Sequence, residues 1–381
     1  MGSTLREGWI STIVEESCEI NYGTRVVRKR DAGTKYPVYG GGGATFSMDI
    51  TNRKDCFVIA RFAMSERCTR FVKGEFFLND SGLTVQPKDN GTILQKFLDL
   101  QFLYHNDTIY SLARGAAQKN LNVPAFKKMQ LNYPKSLKEQ EKIVALLDEA
   151  FLAIERAKTN AELNLQNAKE LFDSYLQAVF ENRGEGWEEK TLEEICTKIT
   201  DGVHKKPTYT EDGIPFIKIN NLTKGDGISF DNVSYISKED HELYIKRTHP
   251  EKNDILITKD GTIGIVRIID TDIEFSIFVS VALIKPINKQ ISPYLRYILT
   301  SPYIQNQIKP KGAALKHLYL KDLRKFIIPL APLNEQKTIV KKLNTLQAQT
   351  KKLESIYTQK LSDLEELKKS ILQKAFNGEL I

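Results

Sequence analysis

Two stretches of the chain carry a long helical pattern of apolar positions. In the first, apolar or small side chains recur every three or four residues from Ile143 to Tyr175, and in the second from Ile339 to Ile371. Most residues between these positions are charged or carry amides. This spacing is typical of a coiled-coil seam. It predicts two helices, each ~60 Å long at a rise of 1.5 Å per residue.

The two helical stretches are copies of one another. "LKEQEKIVALL" begins at Leu137 and "LNEQKTIVKKL" begins at Leu333, 196 positions later. Upstream of each copy stand the related segments "RGAAQKNL" (114–121) and "KGAALKHL" (311–318). "EGWISTIVEESC" (7–18) likewise resembles "EGWEEKTLEEIC" (185–196). The chain is therefore two half-proteins, each with a divergent globular part followed by a repeated tail.

Two details concern the starts and the seam of these helices. Ser136 followed by Glu139 fits a capping box before the first helix, and Pro332 suits the first turn of the second. Polar Asn164 and Lys360 occupy the same seam position in both copies. They either fix the register of the coiled coil or lie at a wet edge of the seam, and the sequence leaves both interpretations open.

Each long helix needs a cover for its apolar stripe, and the simplest cover is the other helix. Two equivalent halves are usually related by a two-fold rotation, which predicts an antiparallel pair. The fold class expected is therefore α+β: two globular α/β heads joined by two long antiparallel coiled-coil helices, with a pseudo-two-fold internal repeat. The expected boundaries are 4–136 for the first head, 137–183 for the first helix, 184–332 for the second head and 333–381 for the second helix.

Both heads carry short strand-like runs followed by a helical run. β-Branched and aromatic residues between Gly, Asn and Asp breaks support strands and turns. The runs of the first head are "DCFVIARF", "RFVKGEFFLND" and "GLTVQP", then the helical "ILQKFLDLQFLYHN". Those of the second are "GIPFIKINNL", "NDILITKDGTIGIVRII" and "SIFVSVALIKP", then "SPYLRYILTSPYIQNQI". The segment "DGTIG" (260–264) is most simply a hairpin turn.

Composition narrows the class of protein. The 381 residues, 41% hydrophobic and 27% charged, predict a globular protein of two or more units. No apolar run approaches the ~20 residues of a membrane span, and the start lacks the apolar core of a secretion signal. Four widely spaced cysteines, without a CxxC pair, argue against disulfides and zinc and favour a cytoplasmic location. The net charge of +7 permits a polyanionic partner without requiring one.

Basic and amide side chains are concentrated in loops of both heads. Lys and Arg neutralise phosphates, Arg, Lys and Asn read base edges, and glycine allows a close backbone approach. Any single member is more simply a solvated turn residue, whereas the clusters together suggest DNA contact. The candidates in the first head are Arg25, Arg28, Lys29, Arg30, Lys35, Tyr39, Gly41, Gly42 and Lys119. Those in the second head are His204, Lys205, Lys206, Lys218, Asn220, Asn221, Lys259 and Lys316.

Signatures of catalysis are missing from the sequence. There is no GxxxxGK[ST] loop, HExxH pair or GxSxG elbow, and "GGGGA" (40–44) does not open a dinucleotide fold. The [DNS]PP[YF] tetrapeptide of amino-methyltransferases is also missing. The sequence therefore predicts a binding protein without catalytic residues, metal ligands or a cofactor.

Two unlike heads, each ending in "GAAxK(N/H)L" and followed by "LxEQxxIVxxL" and a long helix, resemble the specificity (S) subunit of type I restriction–modification systems. The resemblance covers essentially the whole chain and is closest in "FIIPLAPLNEQKTIVKKLN" (326–344). The first copy departs from the pattern, because "LNYPKSLKEQ" holds one extra residue before its EQ pair.

The resemblance implies a division of labour. Each head would read one half of a split, non-palindromic sequence in double-stranded DNA, and the paired helices would set the gap. Two methyltransferase (M) subunits would dock on the repeated helices and methylate adenine, and restriction (R) subunits would complete the complex. The rival interpretation is a two-headed scaffold that binds proteins rather than DNA.

Overall fold

The computed structural model describes residues 6–309 and 317–380. The chain divides into two compact units, and the division runs through both long helices. The first unit comprises 1–162 and 359–381, and the second comprises 163–358. Each unit therefore holds one head together with a part of each helix.

The first unit is built on a mostly antiparallel sheet. Its strands are β1 (Trp9–Ile13), β2 (Cys18–Tyr22), β3 (Tyr36–Gly40), β4 (Gly43–Met48), β5 (Arg53–Ala60), β6 (Thr69–Leu78), β7 (Gly82–Pro87), β8 (Ala113–Arg114), β9 (Asn120–Leu121) and β10 (Gln130–Pro134). Its helices are α1 (Val14–Ser17), α2 (Arg28–Asp31), α3 (Gln95–Tyr104), α4 (Asn106–Ser111), α5 (Val123–Lys127) and the start of α6 (Leu137–Glu181). Six strands form one sheet in the order β2-β7-β5-β6-β3-β4, and only β3 and β6 pair in parallel. The predicted strands of this head are thus confirmed.

The second unit follows the same plan with shorter strands. They are β11 (Glu188–Thr191), β12 (Cys196–Asp201), β13 (Ile214–Ile217), β14 (Ser234–Ile236), β15 (Ile255–Thr258), β16 (Val266–Ile268), β17 (Ser276–Ile277), β18 (Val281–Pro286) and β19 (Ile327–Leu330). Its helices are α7 (Ile219–Leu222), α8 (Lys238–Ile245), α9 (Ser292–Thr300), α10 (Pro302–Gln305), α11 (Leu320–Leu323) and most of α12 (Leu333–Phe376), with a 3₁₀ turn at Lys289–Ile291. Four strands pair in the order β12-β18-β15-β16, and three in the order β14-β13-β17. The segment "DGTIG" joins β15 to β16 as a hairpin, as predicted.

The beginning and the end of each head meet in a two-stranded ladder. β1 pairs antiparallel with β10, and Trp9 lies opposite Pro134. β11 pairs antiparallel with β19, and Glu188 lies opposite Leu330. The segments that repeat at the start and end of each half are therefore neighbours in space, immediately before each long helix.

A buried glutamine joins each ladder to its helix. Gln140 is fully buried; its Nε2 donates to the carbonyls of Thr92 (2.8 Å) and Pro134 (2.9 Å), and its Oε1 accepts from the Leu94 N–H (2.9 Å). The matching Gln336 donates from Nε2 to the Ala331 carbonyl at 2.8 Å. The repeated "EQ" pair thus serves the attachment of each head to its helix.

Within the first unit the helical segments run antiparallel. Lys158 pairs with Glu365 at 2.9 Å, and the Lys368 ammonium lies 4.9 Å from the centroid of the Phe151 ring, so rising numbers on α6 meet falling numbers on α12. Leu147 and Phe376 belong to the core that also covers the sheet. An antiparallel helix pair is therefore confirmed there.

In the second unit the C-terminal part of α6 packs beside the N-terminal part of α12. Leu176 and Phe180 share one buried core with Ile339 and Leu343. The apolar stripes of both helices thus join the cores of the heads, which explains why so charged a helix is stable.

The seam follows the predicted stripe only in part. Ala161 and Ala168 are buried and Leu165 is half-buried, whereas Asn164 is exposed; on α12, Leu361 is half-buried and Lys360 is exposed. The stripe shifts by one residue at the same position of both copies, as the 3.6-residue period requires over a long helix. Asn164 and Lys360 thus lie at the wet edge of the seam, the second of the two interpretations.

Candidate DNA interface

Loops of the first head are tied together around Ser81. The Gly23 N–H donates to the Gly82 carbonyl (3.0 Å), the Arg61 N–H to the Ser81 carbonyl (2.8 Å), and the Gly41 N–H to Ser81 Oγ (3.1 Å). The segment after Arg61 is tied to the repeated GAA segment, because the Leu121 N–H donates to the Arg61 carbonyl (2.8 Å). We call this group of loops, 22–24, 40–42, 61–64, 79–82 and 119–121, the Ser81 junction.

The second head has an equivalent arrangement around Ser280. The Gly202 N–H donates to the Val281 carbonyl (3.3 Å), and the Lys259 N–H donates to the Ser280 carbonyl (2.9 Å). The Leu318 N–H donates to the Lys259 carbonyl at 2.8 Å. We call the loops 201–204, 259–261, 278–281 and 317–318 the Ser280 junction.

The two junctions share three corresponding backbone hydrogen bonds although their sequences differ. Leu121 and Leu318 are matching residues of the two GAA segments, and each bonds to the residue that follows a core strand, Arg61 or Lys259. Gly23 and Gly202 also correspond: a Cβ on either would lie 1.9 Å from a backbone carbonyl oxygen, of Asn79 or of Ile277. Both positions therefore require glycine for close backbone packing.

Five of the six basic candidates of the first head lie in one surface segment. Arg25 follows the Ser81 junction, Arg28, Lys29 and Arg30 form most of α2, and Lys35 precedes the β3–β4 hairpin; all five side chains are exposed. Arg30 is paired with Asp31 at 2.8 Å, and this bond lowers the pKa of Asp31. The others form an exposed cationic surface of the type that suits phosphate contact.

The glycine run forms the turn of the β3–β4 hairpin. Gly41 is buried and packs closely against the protein's own backbone, because a Cβ there would lie 2.4 Å from the Phe62 carbonyl oxygen. Gly42 is exposed with no atom within 4 Å of an added Cβ. Tyr39 packs edge-on against Phe76 with ring centroids 5.3 Å apart. Of these three candidates, only Gly42 leaves an open backbone at the surface.

In the second head a buried carboxylate contacts a lysine, an arginine and a histidine. Asp201 Oδ1 lies 3.2 Å from His204 Nε2 and 2.7 Å from Arg247 Nη2, and Oδ2 lies 3.1 Å from Lys259 Nζ. The Lys259 side chain is only 3% exposed, whereas those of His204 and Arg247 are 60% and 56% exposed. His204 and Arg247 therefore face solvent, while Lys259 neutralises Asp201 inside the head.

The structure brings two of the predicted lysines of this head to one aromatic ring. The ammonium groups of Lys218 and Lys206 lie 4.7 and 5.9 Å from the centroid of the Tyr209 ring. Lys205 and Asn220 are exposed nearby in sequence, whereas Asn221 is buried. The Asn221 side chain accepts from the Lys218 N–H (2.9 Å) and donates to the Ser229 carbonyl (3.0 Å), so its amide is engaged in fold contacts.

Of the two lysines beside the GAA segments, Lys119 and Lys316, the structure describes only Lys119. Lys119 is exposed, and its ammonium lies 4.6 Å from the centroid of the Tyr110 ring, while its carbonyl accepts from the Met64 N–H. Lys316 lies outside the described residues. Lys119 thus belongs to the Ser81 junction together with Gly41.

Residues 6–309 and 317–380 were also compared with the requirements of a metal site and of a membrane span. No group of three or more His, Cys, Asp or Glu side chains there could hold a metal ion. Across the same residues, none of the helices combines the length and apolar character of a membrane span.

The sequence candidates include neither Arg61 and Asp201 of the junctions nor Arg247, which contacts the Ser280 junction through Asp201. Arg61 directly follows the strand-like run "DCFVIA", and Asp201 directly precedes Gly202, so a comparison of strand ends between the two heads could have found both. Arg247 comes from the loop after α8 and meets Asp201 only through the fold. Arg247 can therefore be recognised as part of this site only from the tertiary structure.

Comparison with known proteins identifies relatives of the whole arrangement. The sequence model of the family described as "Type I restriction modification DNA specificity domain" matches residues 7–165 and 184–363. The type I restriction enzyme EcoBI specificity subunit of Escherichia coli is 36% identical over 202 residues, 51% of this chain and 42% of that protein. The EcoKI specificity subunit of Escherichia coli strain K12 is 24% identical over 298 residues, 73% of this chain and 63% of that protein. The chain thus spans less than two thirds of these relatives.

Solved structures share the fold. A chain from work on complex assembly and conformational transition of the type I R-M system superposes with a TM-score of 0.78 at 19% identity, over all of both chains. The HsdS subunit from Thermoanaerobacter tengcongensis gives a TM-score of 0.60 at 20% identity, over 99% of each chain.

Proposed function

Because the chain belongs to the family of type I restriction–modification DNA specificity domains, we propose that it is a non-catalytic subunit that confers DNA sequence specificity. Each head reads one half of a bipartite, gapped site in double-stranded DNA. The observation that carries this proposal is the pair of equivalent junctions, which share backbone contacts but display unlike side chains. A repeated frame with divergent polar groups is what two different half-sites require.

DNA contact is assigned to the exposed members of the candidate set. In the first head these are the α2 cations, Arg25, Lys35, Gly42 and Lys119, and in the second His204, Lys205, Lys206 and Asn220, with the half-buried Lys218 beside them. Lys316 stays in the set, whereas Tyr39, Gly41, Asn221 and Lys259 support the surface through their contacts inside the heads. The family match favours DNA over a two-headed protein scaffold as the ligand.

The domain boundaries given above, 4–136, 137–183, 184–332 and 333–381, belong to this proposal as its functional parts. The two helices act as the ruler that sets the gap between half-sites. α6 has 45 residues and α12 has 44, so each is ~65 Å long at 1.5 Å per residue. Two half-sites from one to nearly two DNA turns apart, each turn roughly 35 Å, lie within this reach.

The helices also carry the docking surfaces for two methyltransferase (M) subunits, which bring adenine methylation; restriction (R) subunits complete the complex. Support comes from Leu171 and Leu367, matching residues of the repeat whose side chains are 51% and 46% exposed. An apolar side chain left in water at the same place in both copies suits a partner present twice. Leu171→Asp and Leu367→Asp should each reduce the complex from two M subunits to one, measured by native mass spectrometry.

The DNA-reading role is tested by selection from a random duplex library with the purified chain and its M subunit. The proposal predicts enrichment of two fixed half-sites at one spacing. Inserting one helical turn into α6 and α12 together should change that spacing while leaving both half-sites unchanged. A library without any enriched motif contradicts the reading role, and an unchanged spacing contradicts the ruler.

A further inference from the structure

Resting on the DNA-reading role proposed above, we propose that Arg61 in the first head and Arg247 in the second are specificity-determining residues that contact base edges. Asp201 is the positioning residue for Arg247. The two arginines lie at equivalent junctions of the two heads, and each is held in place by its neighbours before DNA arrives.

Arg61 is held between aromatic rings. Its guanidinium carbon lies 4.9 Å from the centroid of the Tyr22 ring and 4.4 Å from that of Phe62, and Nη1 makes one long bond (3.4 Å) to the Asp80 carbonyl. No carboxylate among the described residues forms an ion pair with Arg61. The Tyr22 side chain is 43% exposed, so this stack reaches the surface. Arg61 therefore offers an oriented cation with most of its donors unused.

Arg247 is also held at a junction, but by an ion pair and not by aromatic rings. The residue that corresponds to Arg61 is Lys259, which is buried against Asp201. The other oxygen of Asp201 accepts from Arg247 Nη2 at 2.7 Å, and the Arg247 side chain remains 56% exposed. One carboxylate thus neutralises the inner lysine and fixes the outer arginine.

Fixed guanidinium groups suit base reading better than the other cations of the heads. A planar guanidinium can donate two parallel hydrogen bonds to O6 and N7 of guanine, whereas an ammonium acts as a point charge. Orientation before binding lowers the entropic cost of forming such a pair. The side chains of Arg28, Lys29 and Lys206 form no hydrogen bond or ion pair among the described residues and suit the backbone phosphates. The Arg30 fork is already occupied by Asp31. The Lys218 ammonium donates to Ser234 Oγ at 2.8 Å.

The test uses the full chain with its M subunit and the duplex selection described above. Arg61→Ala, Arg61→Lys, Arg247→Ala and Arg247→Lys are compared with Lys73→Ala and Lys246→Ala, exposed lysines of the first and second heads. The unchanged half-site in each variant reports that the protein is folded and assembled.

The expected result is a loss of base preference at one position of one half-site, on the order of tenfold to a hundredfold in discrimination. Arg61 variants alter only the half-site of the first head and Arg247 variants only that of the second. Both Lys variants lose the preference as well, because they keep the charge but lack the fork. If Arg61→Ala loses all recognition, Arg61→Lys decides the outcome.

Two outcomes overturn the assignment. The first is unchanged base preference in the Lys variants, and the second is a uniform loss of affinity without any change of preference, which marks a phosphate contact. If the wild-type complex yields no bipartite motif, the proposed function itself fails, so the two failures are distinguishable.

The role of Asp201 is tested by non-additivity. Asp201→Asn should relax the same position as Arg247→Ala, and the double variant should relax it no further. If the losses of base preference from Asp201→Asn and from Arg247→Ala add in the double variant, Asp201 has only a structural role. That result overturns its role as a positioning residue.

Discussion

Gln140 and Gln336 occupy the same place in the repeat but differ in how many hydrogen bonds they make, and this difference predicts unequal stability losses. Gln140 makes three bonds in a fully buried site. Gln336 makes one through Nε2, and its buried Oε1 has no partner among the described residues. Replacement by methionine keeps the volume nearly constant and removes the amide.

The expected losses follow from the bonds removed. At a net value of about 1 kcal/mol per bond, Gln140→Met costs about 3 kcal/mol and Gln336→Met about 1 kcal/mol. For units of this size, 1 kcal/mol shifts the melting temperature by roughly 2–4 °C. Gln140→Met should therefore lower the melting temperature of the first unit by roughly 6–12 °C, and Gln336→Met that of the second by roughly 2–4 °C.

Differential scanning calorimetry of the full chain measures the shifts, and amide hydrogen exchange assigns each one to its unit. Gln166→Met is the matched control, because Gln166 is exposed on α6 and should change stability by less than about 0.5 kcal/mol. A loss for Gln336→Met as large as that for Gln140→Met would contradict this prediction, since equal losses cannot follow from unequal bonding.

Three further outcomes are expected. Gly23→Ala and Gly202→Ala should each destabilise the protein by about 1–3 kcal/mol or more, because the new Cβ meets a backbone carbonyl at 1.9 Å, whereas Gly42→Ala should be tolerated; chemical denaturation measures all three. Burial raises the pKa of Asp99 to about 6, so this carboxyl lowers stability as the pH rises from about 4 through 6; Asp99→Asn should raise the melting temperature at pH 7 but not at pH 4. Affinity of the assembled complex for DNA should fall on the order of 10³-fold between 50 and 200 mM salt if six or more phosphates are neutralised, and a flat salt dependence would contradict phosphate contact.

Much of the architecture could be predicted because it follows from the helical period of the apolar residues and from the internal sequence repeat. The 3,4 spacing predicted both long helices, and the offset between the copies predicted their equivalence. The resemblance implies that the repeated helices serve the partner subunits, whereas Gln140 shows that the repeat also anchors the head to its helix. A sequence repeat cannot by itself separate an outward-facing role from an inward-facing one.

The candidate site was harder to predict because charge does not reveal burial. Lys259 looked like any loop lysine, yet it neutralises Asp201 inside the head. The contact between Arg247 and Asp201 could not be predicted from local sequence, because the two residues stand 46 positions apart in the chain. Correspondence between the heads is carried by backbone bonds and by Gly23 and Gly202, which leave almost no trace in local composition.

The central claim is that this one chain specifies a single gapped, asymmetric DNA site. The most direct test is long-read sequencing of the adenine methylome in cells that express the M subunit, with this gene intact and with it deleted. The account predicts that methylation at one bipartite motif disappears on deletion, which yields both half-sites and the gap together. An unchanged methylome, with the M subunit active, would contradict the account.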